Sequence, residues 1–161
     1  MQPTLQGPSR VDVDYAAYDS APPQRGDIVV VQAPAGFERG CQDPASTADA
    51  HTTPAPCVQA PEGYSRQRLL KRIVAGPGDQ VEFAGDGRVV LNGKHLGEPY
   101  VRPCVPPLCR IREAITVPDD HWFVAGDNRG NSLDSRWFGA IPTSAIDGRV
   151  TLTGSFADPR Q

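Results

Sequence analysis

Three tight-turn signals, Gly76-Pro77-Gly78-Asp79, Asp86-Gly87 and Asn92-Gly93, follow one another so closely that no helix of ordinary length fits between them. What fits is a meander of short extended segments over residues 80–83, 88–91 and 94–96, joined by turns of the kind that close hairpins. The same punctuation runs through the rest of the chain, which carries 17 Pro and 16 Gly. Residues 26–32 read as a strand rich in β-branched side chains, opened by a Gly-Asp turn, and residues 69–75 as another that stops at Gly76. Residues 111–117, 122–124, 141–146 and 149–152 follow as further strands, and Val11 and Val13 alternate ahead of a Pro22-Pro23 loop. No amphipathic helical repeat competes with this pattern. The expectation is an all-β, antiparallel, barrel-like fold with long loops.

With 161 residues the chain has room for one core and not for two well-packed domains. Residues 1–161 are therefore expected to form a single domain, with a loop excursion at about 33–64 and a β insertion at about 80–116. A net charge of -3, with Lys and Arg scattered, leaves no basic stripe to neutralise phosphates, so nucleic acid is not an expected partner. No stretch is apolar for the roughly 20 residues a bilayer crossing needs, and the expectation for the chain as it stands is a soluble domain. The four cysteines fall as Cys41 with Cys57 and Cys104 with Cys109; none has the spacing of a zinc or thioredoxin site, and no metal or other cofactor is implied. Two local disulfides, Cys41–Cys57 and Cys104–Cys109, are the preferred reading, which places the domain outside the cytosol; four free thiols are the alternative.

The chemistry concentrates at Lys71. A lysine amine at its ordinary pKa of about 10.4 is already protonated at neutral pH, so it becomes a general base only when desolvated. On a strand Lys71 shares a face with Leu69 and Ile73 while Arg72 points the other way. Such an amine needs a polar neighbour that orients it without restoring its charge; a hydroxyl does this, whereas a carboxylate would raise the pKa again. Ser132 offers one in the run Gly126-Asp127-Asn128-Arg129-Gly130-Asn131-Ser132-Leu133-Asp134-Ser135-Arg136. In that run Asp134 and Arg136, two apart, lie on one side of an extended segment and can pair, and Asp127 and Asn128 are turn residues able to cap their own backbone. Each piece read singly is a solvated strand edge or a polar turn. The three histidines, His51, His95 and His121, are not arranged for a Ser-His-Asp triad, and no Gly-x-Ser-x-Gly elbow accompanies them.

Taken together, the Gly126–Arg136 run and Leu70-Lys71-Arg72-Ile73-Val74-Ala75-Gly76-Pro77-Gly78-Asp79 resemble the boxes of type I signal peptidases (leader peptidases, peptidase S26), serine endopeptidases whose general base is a lysine. The resemblance covers most of the chain, including Met1-Gln2-Pro3-Thr4-Leu5. It implies Lys71 as the base, Ser132 as the hydroxyl that hydrogen-bonds it, and Asp127, Asn128, Asp134 and Arg136 as supporting residues. It places the nucleophilic serine immediately before Met1, one residue ahead of this sequence, so the chain as it stands is expected to be inactive. Ser9, beside Pro8 where the family usually has Gly-Asp, is a poor substitute. Met1, Leu5, Val11, Val30 and Leu70 are implied as walls of shallow pockets for small side chains. The implied partners are signal peptides of secreted preproteins, bound as an added strand along an exposed edge and cleaved after small-x-small motifs. A membrane surface follows as a second partner, since the resemblance implies an N-terminal anchor ahead of this sequence and a location at the extracytoplasmic face of the cell membrane. The rival expectations are a peptide-binding or structural β module that has lost catalysis, and a related Ser/Lys maturation protease.

Overall fold

Runs of β-branched residues become strands where expected, and tertiary pairing extends or cuts them. The computed structural model describes residues 1–5, 10–37, 58–105, 109 and 111–151. Among these the strands are β1 (Asp12–Asp14), β2 (Ile28–Pro34), β3 (Tyr64–Ala75), β4 (Gln80–Phe83), β5 (Val89–Leu91), β6 (Lys94–His95), β7 (Ile111–Thr116), β8 (His121–Ala125), β9 (Ile141–Pro142) and β10 (Ile146–Thr151). All ladders are antiparallel, in a six-stranded sheet of order β1-β10-β2-β3-β8-β9 and a four-stranded sheet of order β6-β5-β4-β7. The fold is thus antiparallel all-β, but the sheets stay open where a barrel-like form was expected. The end strands β1 and β9 pair only with β10 and β8 and not with each other, so the ladder does not close.

β3 begins five residues earlier than the 69–75 segment read from sequence, because Arg68 and Tyr64 pair with Gln32 and Pro34 of β2. A partner strand makes extended backbone favourable even for a polar run. The expected strand over 141–146 divides instead: Pro142 ends β9 and a 3₁₀ turn, Thr143–Ala145, follows before β10. Proline has no N–H to continue the ladder. One helical turn, α1 (Ser135–Phe138), is capped by Asp134, whose carboxylate accepts from the Arg136 N–H. It stops at Gly139, with φ of +90° and backbone so close to Gln59 that a Cβ would lie 2.5 Å from its carbonyl carbon.

Two cores share β3 and β8. Because side chains alternate, Ile73 and Val124 turn to one face, with Val29, Val31, Phe138 and Ile141. Val74, Phe123 and Ala125 turn to the other, against Val81, Phe83, Val89 and Ile115 of the small sheet. Trp122 is core packing, its indole N–H donating to Thr143 Oγ1 at 2.9 Å, whereas Trp137 is 41% exposed. The Cys104–Cys109 disulfide is formed. The expected Cys41–Cys57 bridge, His51, Ser9 and the last expected strand residue, Leu152, lie outside the described residues. No helix among the described residues is long and apolar enough to cross a membrane.

Candidate active site

Lys71 sits where β3 passes between β2 and the end of β8. Its side chain is 9% exposed, and its cross-strand neighbour in β2 is the fully buried Val29. On the other side, β8 pairs Val124 with Ile73 and Ala125 with Arg72. The ladder ends at Arg72 and Ala125, and Gly126 follows one step beyond it, at the level of Lys71 and on the face that Val124 presents. That face of Gly126 is occupied by Ser132: a Cβ on Gly126 would stand 2.3 Å from Ser132 Oγ and 3.9 Å from Asp134 Oδ2. A glycine is required there so that the serine hydroxyl can lie against the backbone. Ser132 Oγ is buried and has no hydrogen-bond partner, an arrangement that a buried polar group adopts at a cost unless it serves a site.

Burial is the main cause that lowers the Lys71 pKa below that of an ordinary lysine. The Asp134 carboxylate opposes the shift and the Arg136 guanidinium adds to it. Asp134 is itself held by Arg136 and Gly126. It accepts from Arg136 Nε at 2.8 Å and Nη2 at 2.7 Å, and from the Gly126 N–H at 2.9 Å. Its own pKa is held low even though burial, the largest influence on it, acts to raise it; the paired Arg136 and the Gly126 N–H outweigh that effect.

Behind the sheet a second fork closes on Asp127, which accepts from Arg72 Nε at 2.9 Å and Nη2 at 2.8 Å. Arg72 also donates to the Gly26 carbonyl at 2.9 Å and lies 3.9 Å from the centre of the Tyr100 ring. Asp127 therefore does not cap its own turn, as its residue type suggests; the Arg72 fork offers two charge-assisted bonds where the local backbone offers one. Asn128 precedes a 3₁₀ turn without a side-chain cap either, only its carbonyl accepting from the Asn131 N–H at 3.0 Å. A third pair, Arg129 with Glu98, is 0% exposed on both sides and 2.7 Å apart. Three guanidiniums thus pair with three carboxylates, and among the described residues Lys71 makes no ion pair of its own, its nearest opposing influence being the arginine-paired Asp134.

The N-terminal turn docks on this framework. The Thr4 hydroxyl donates to Asp127 Oδ2, and the Leu5 N–H donates to the Met1 carbonyl at 2.9 Å. The Met1 amine is pushed down in pKa by burial first and by the nearby Lys71 second, against an opposing effect of Asp127. The Met1 amine and Lys71 are therefore near each other, but the expected hydrogen bond between Ser132 and Lys71 is not formed: Ser132 Oγ has no hydrogen-bond partner among the described residues. Val30 and Leu70 pair across β2 and β3 and point to the face opposite Lys71, both partly buried, while Leu5 is buried in the N-terminal turn. Val11 is not brought close: it precedes β1, three strand spacings from β3, or about 14 Å along the ladder. His95 lies in β6 of the other sheet, and His121 opens β8 at the end away from Gly126.

Sequence reasoning missed Thr4, Arg72, Glu98, Tyr100 and Arg129. Only the Arg in each box hinted at a buried pair; nothing local joins Glu98 to Arg129 across 31 positions. Among the described residues no group of His, Cys, Asp and Glu is arranged to hold a metal. The arrangement lowers the pKa of a buried amine near the Met1 end of the described structure.

Comparison with known proteins adds an independent line. The signal peptidase family, peptidase S26, matches residues 1–154. A signal peptidase I of Leptolyngbya laminosa is 34% identical over 152 residues, covering 94% of this chain and 63% of that protein. A probable signal peptidase I-1 of Synechocystis sp. is 35% identical over 151 residues, covering 93% of this chain and 64% of that protein. The chain spans less than two thirds of the length of either relative. A crystal structure of a signal peptidase I from Enterococcus faecalis V583 shares 24% identity and a TM-score of 0.49, covering 80% of this chain and 97% of that one.

Proposed function

Because the chain belongs to the signal peptidase family, peptidase S26, we propose that it is the catalytic domain of a serine endopeptidase that removes signal peptides from exported preproteins. The observation that carries this is Lys71: a buried amine that makes no ion pair among the described residues and lies near the Met1 end, in a region where the buried Ser132 hydroxyl is left without a partner. In the proposed reaction a serine directly ahead of Met1 attacks the carbonyl after a small-x-small motif while Lys71 takes the hydroxyl proton. The leaving amine receives that proton, and a water activated by the same lysine hydrolyses the acyl-enzyme. Ser132 orients the Lys71 amine without charging it. Asp134–Arg136 and Arg72–Asp127 fix the loop and the strand that carry them.

The substrate's place follows from the sheet. β8 pairs with only the last residues of β3, so from Tyr64 to Lys71 the β8-side edge of β3 has no ladder partner among the described residues. An extended leader adds there as a strand and brings its scissile bond to Lys71. Met1 and Leu5, in the N-terminal turn, are read as pocket walls, whereas Val30 and Leu70 face the other side of the sheet from Lys71 and are not. The Cys104–Cys109 disulfide supports an oxidising location, the extracytoplasmic face of the membrane.

The test is acyl-enzyme formation with a leader peptide, read by mass spectrometry. A chain extended upstream of Met1 to include a serine is expected to acylate and cleave, and the 161-residue chain to do neither. In the extended chain Lys71→Ala is expected to lower kcat by at least a thousandfold, roughly the effect of losing a positioned base together with nucleophile activation, with the circular dichroism spectrum unchanged. Cleavage by the unextended chain, or turnover surviving Lys71→Ala, refutes the assignment.

A further inference from the structure

Glu98 and Arg129 belong to no part of the reaction just described, yet Arg129 is among the most deeply buried side chains of the molecule. Glu98 comes from the segment leaving the small sheet, and Arg129 from the loop that carries Ser132. Arg129 Nη2 donates to Glu98 Oε1 at 2.7 Å and Nη1 to Oε2 at 3.3 Å. Its remaining donors go to backbone: Nε to the Gly126 carbonyl at 3.0 Å, and Nη1 to the Gly87 carbonyl. The Arg129 carbonyl in turn accepts from Arg136 Nη2 at 2.9 Å. One guanidinium thus clamps the residue on which Ser132 rests, while its own backbone holds the arginine that pairs with Asp134.

The small sheet holds the other end. Glu98 Oε2 accepts from the Val89 N–H of β5 at 2.8 Å. Tyr100, two residues on, covers the Arg72 guanidinium. Between them the backbones join: the Arg102 N–H donates to the Asp127 carbonyl at 2.9 Å, and the Arg129 N–H to the Arg102 carbonyl at 3.0 Å. Residues 98–102 therefore form a brace running from β5 to the back of the Gly126–Arg136 loop.

We infer that Glu98 and Arg129 are a positioning pair for the Lys71–Ser132 site, through which the small sheet sets the placement of Gly126 and hence the dryness of the lysine niche. The inference deepens the proposed function and rests on it for its catalytic consequence, though not for its structural one. Only a planar fork can meet Glu98, Gly87 and Gly126 at once; an ammonium in its place keeps the charge and loses the geometry. With Gly126 released, Ser132 moves off the lysine, water enters, and the amine returns towards ordinary behaviour. The charged groups around Lys71 are otherwise constant: Asp134 and Arg136 from the loop, the Met1 amine from the N-terminal turn, and Arg72 with Asp127 behind the sheet, while β2 presents the apolar Val29.

The test uses charge-conserving changes, Arg129→Lys and Glu98→Asp, with Arg88→Lys at an exposed pair as the control. Lys71 is titrated directly in the 161-residue chain by the NMR shift of its ε-carbon. Both changes are expected to move its midpoint upward by on the order of one pH unit, and the control to leave it in place. In the serine-extended chain they are expected to lower kcat by ten- to a hundredfold, roughly the cost of a small misplacement of reacting groups, with KM little changed. A midpoint that stays or falls in the folded variants overturns the positioning role. Should Arg129→Lys fail to fold, the milder Glu98→Asp decides alone. If Lys71 of the unaltered chain titrates as an ordinary lysine, the proposed base fails instead, so the two readings fail separately.

Discussion

At the scale of single residues, the site is built by withholding a partner. Asp127, Asp134 and Glu98 each hold an arginine fork, and among the described residues Lys71 makes no ion pair of its own. This has a thermodynamic signature. In the unfolded chain Lys71 titrates near its ordinary 10.5, and in the folded protein it gives up its proton at lower pH. Between those points the unfolded state binds the extra proton, so stability rises with pH across that window and is reduced below it. Lys71→Met is therefore expected to raise the unfolding free energy near neutral pH by about 1 to 3 kcal/mol. The gain should shrink as pH approaches 10.5. Urea unfolding at two pH values checks this; a gain that is absent at neutrality, or constant with pH, contradicts a buried neutral amine. Lys71 and Ser132, the proposed base and its hydroxyl, could be picked out in the sequence because a strand pattern and two recognisable boxes carry them. Arg72 and Glu98 were not, since the groups that give them meaning lie 55 and 31 positions away.

At the scale of elements, the site depends on how β8 ends. The strand runs into Gly126, where the absent side chain makes room for the Ser132 hydroxyl. Gly126→Ala forces a methyl into that space and is expected to cost about 1 to 3 kcal/mol, the usual penalty of overpacking. Ser132→Gly added to it should recover much of that loss, since the clash is with the serine's Cβ and Oγ alone. A double-mutant cycle in chemical denaturation measures this coupling; strictly additive losses would mean that the two residues do not share the space. The strand itself was readable from Trp122-Phe123-Val124. Its register against β3, which brings Gly126 across from Lys71, was not, because a run of buried apolar residues fits several registers equally well.

At the scale of the whole molecule, β3 and β8 each give one face to each core, so neither core can come apart without exposing the other. Unfolding is expected to be one transition. Ile73→Ala, in one core, and Phe83→Ala, in the other, should each cost about 2 to 5 kcal/mol and shift the same midpoint by fluorescence and circular dichroism alike. Two separated transitions would show independent cores. What the sequence determined by itself was local: turn positions from Gly and Pro, strand segments from β-branched runs, the short Cys104–Cys109 pairing, and a lysine and a serine within recognisable boxes. These depend on steric preferences within a few residues. The tertiary structure alone decided the open sheets, the added length of β3, the buried Arg–carboxylate pairs and the brace behind the site. Each of those depends on which distant backbone offers a hydrogen bond or a charge, and that is fixed only when the sheets pair and pack.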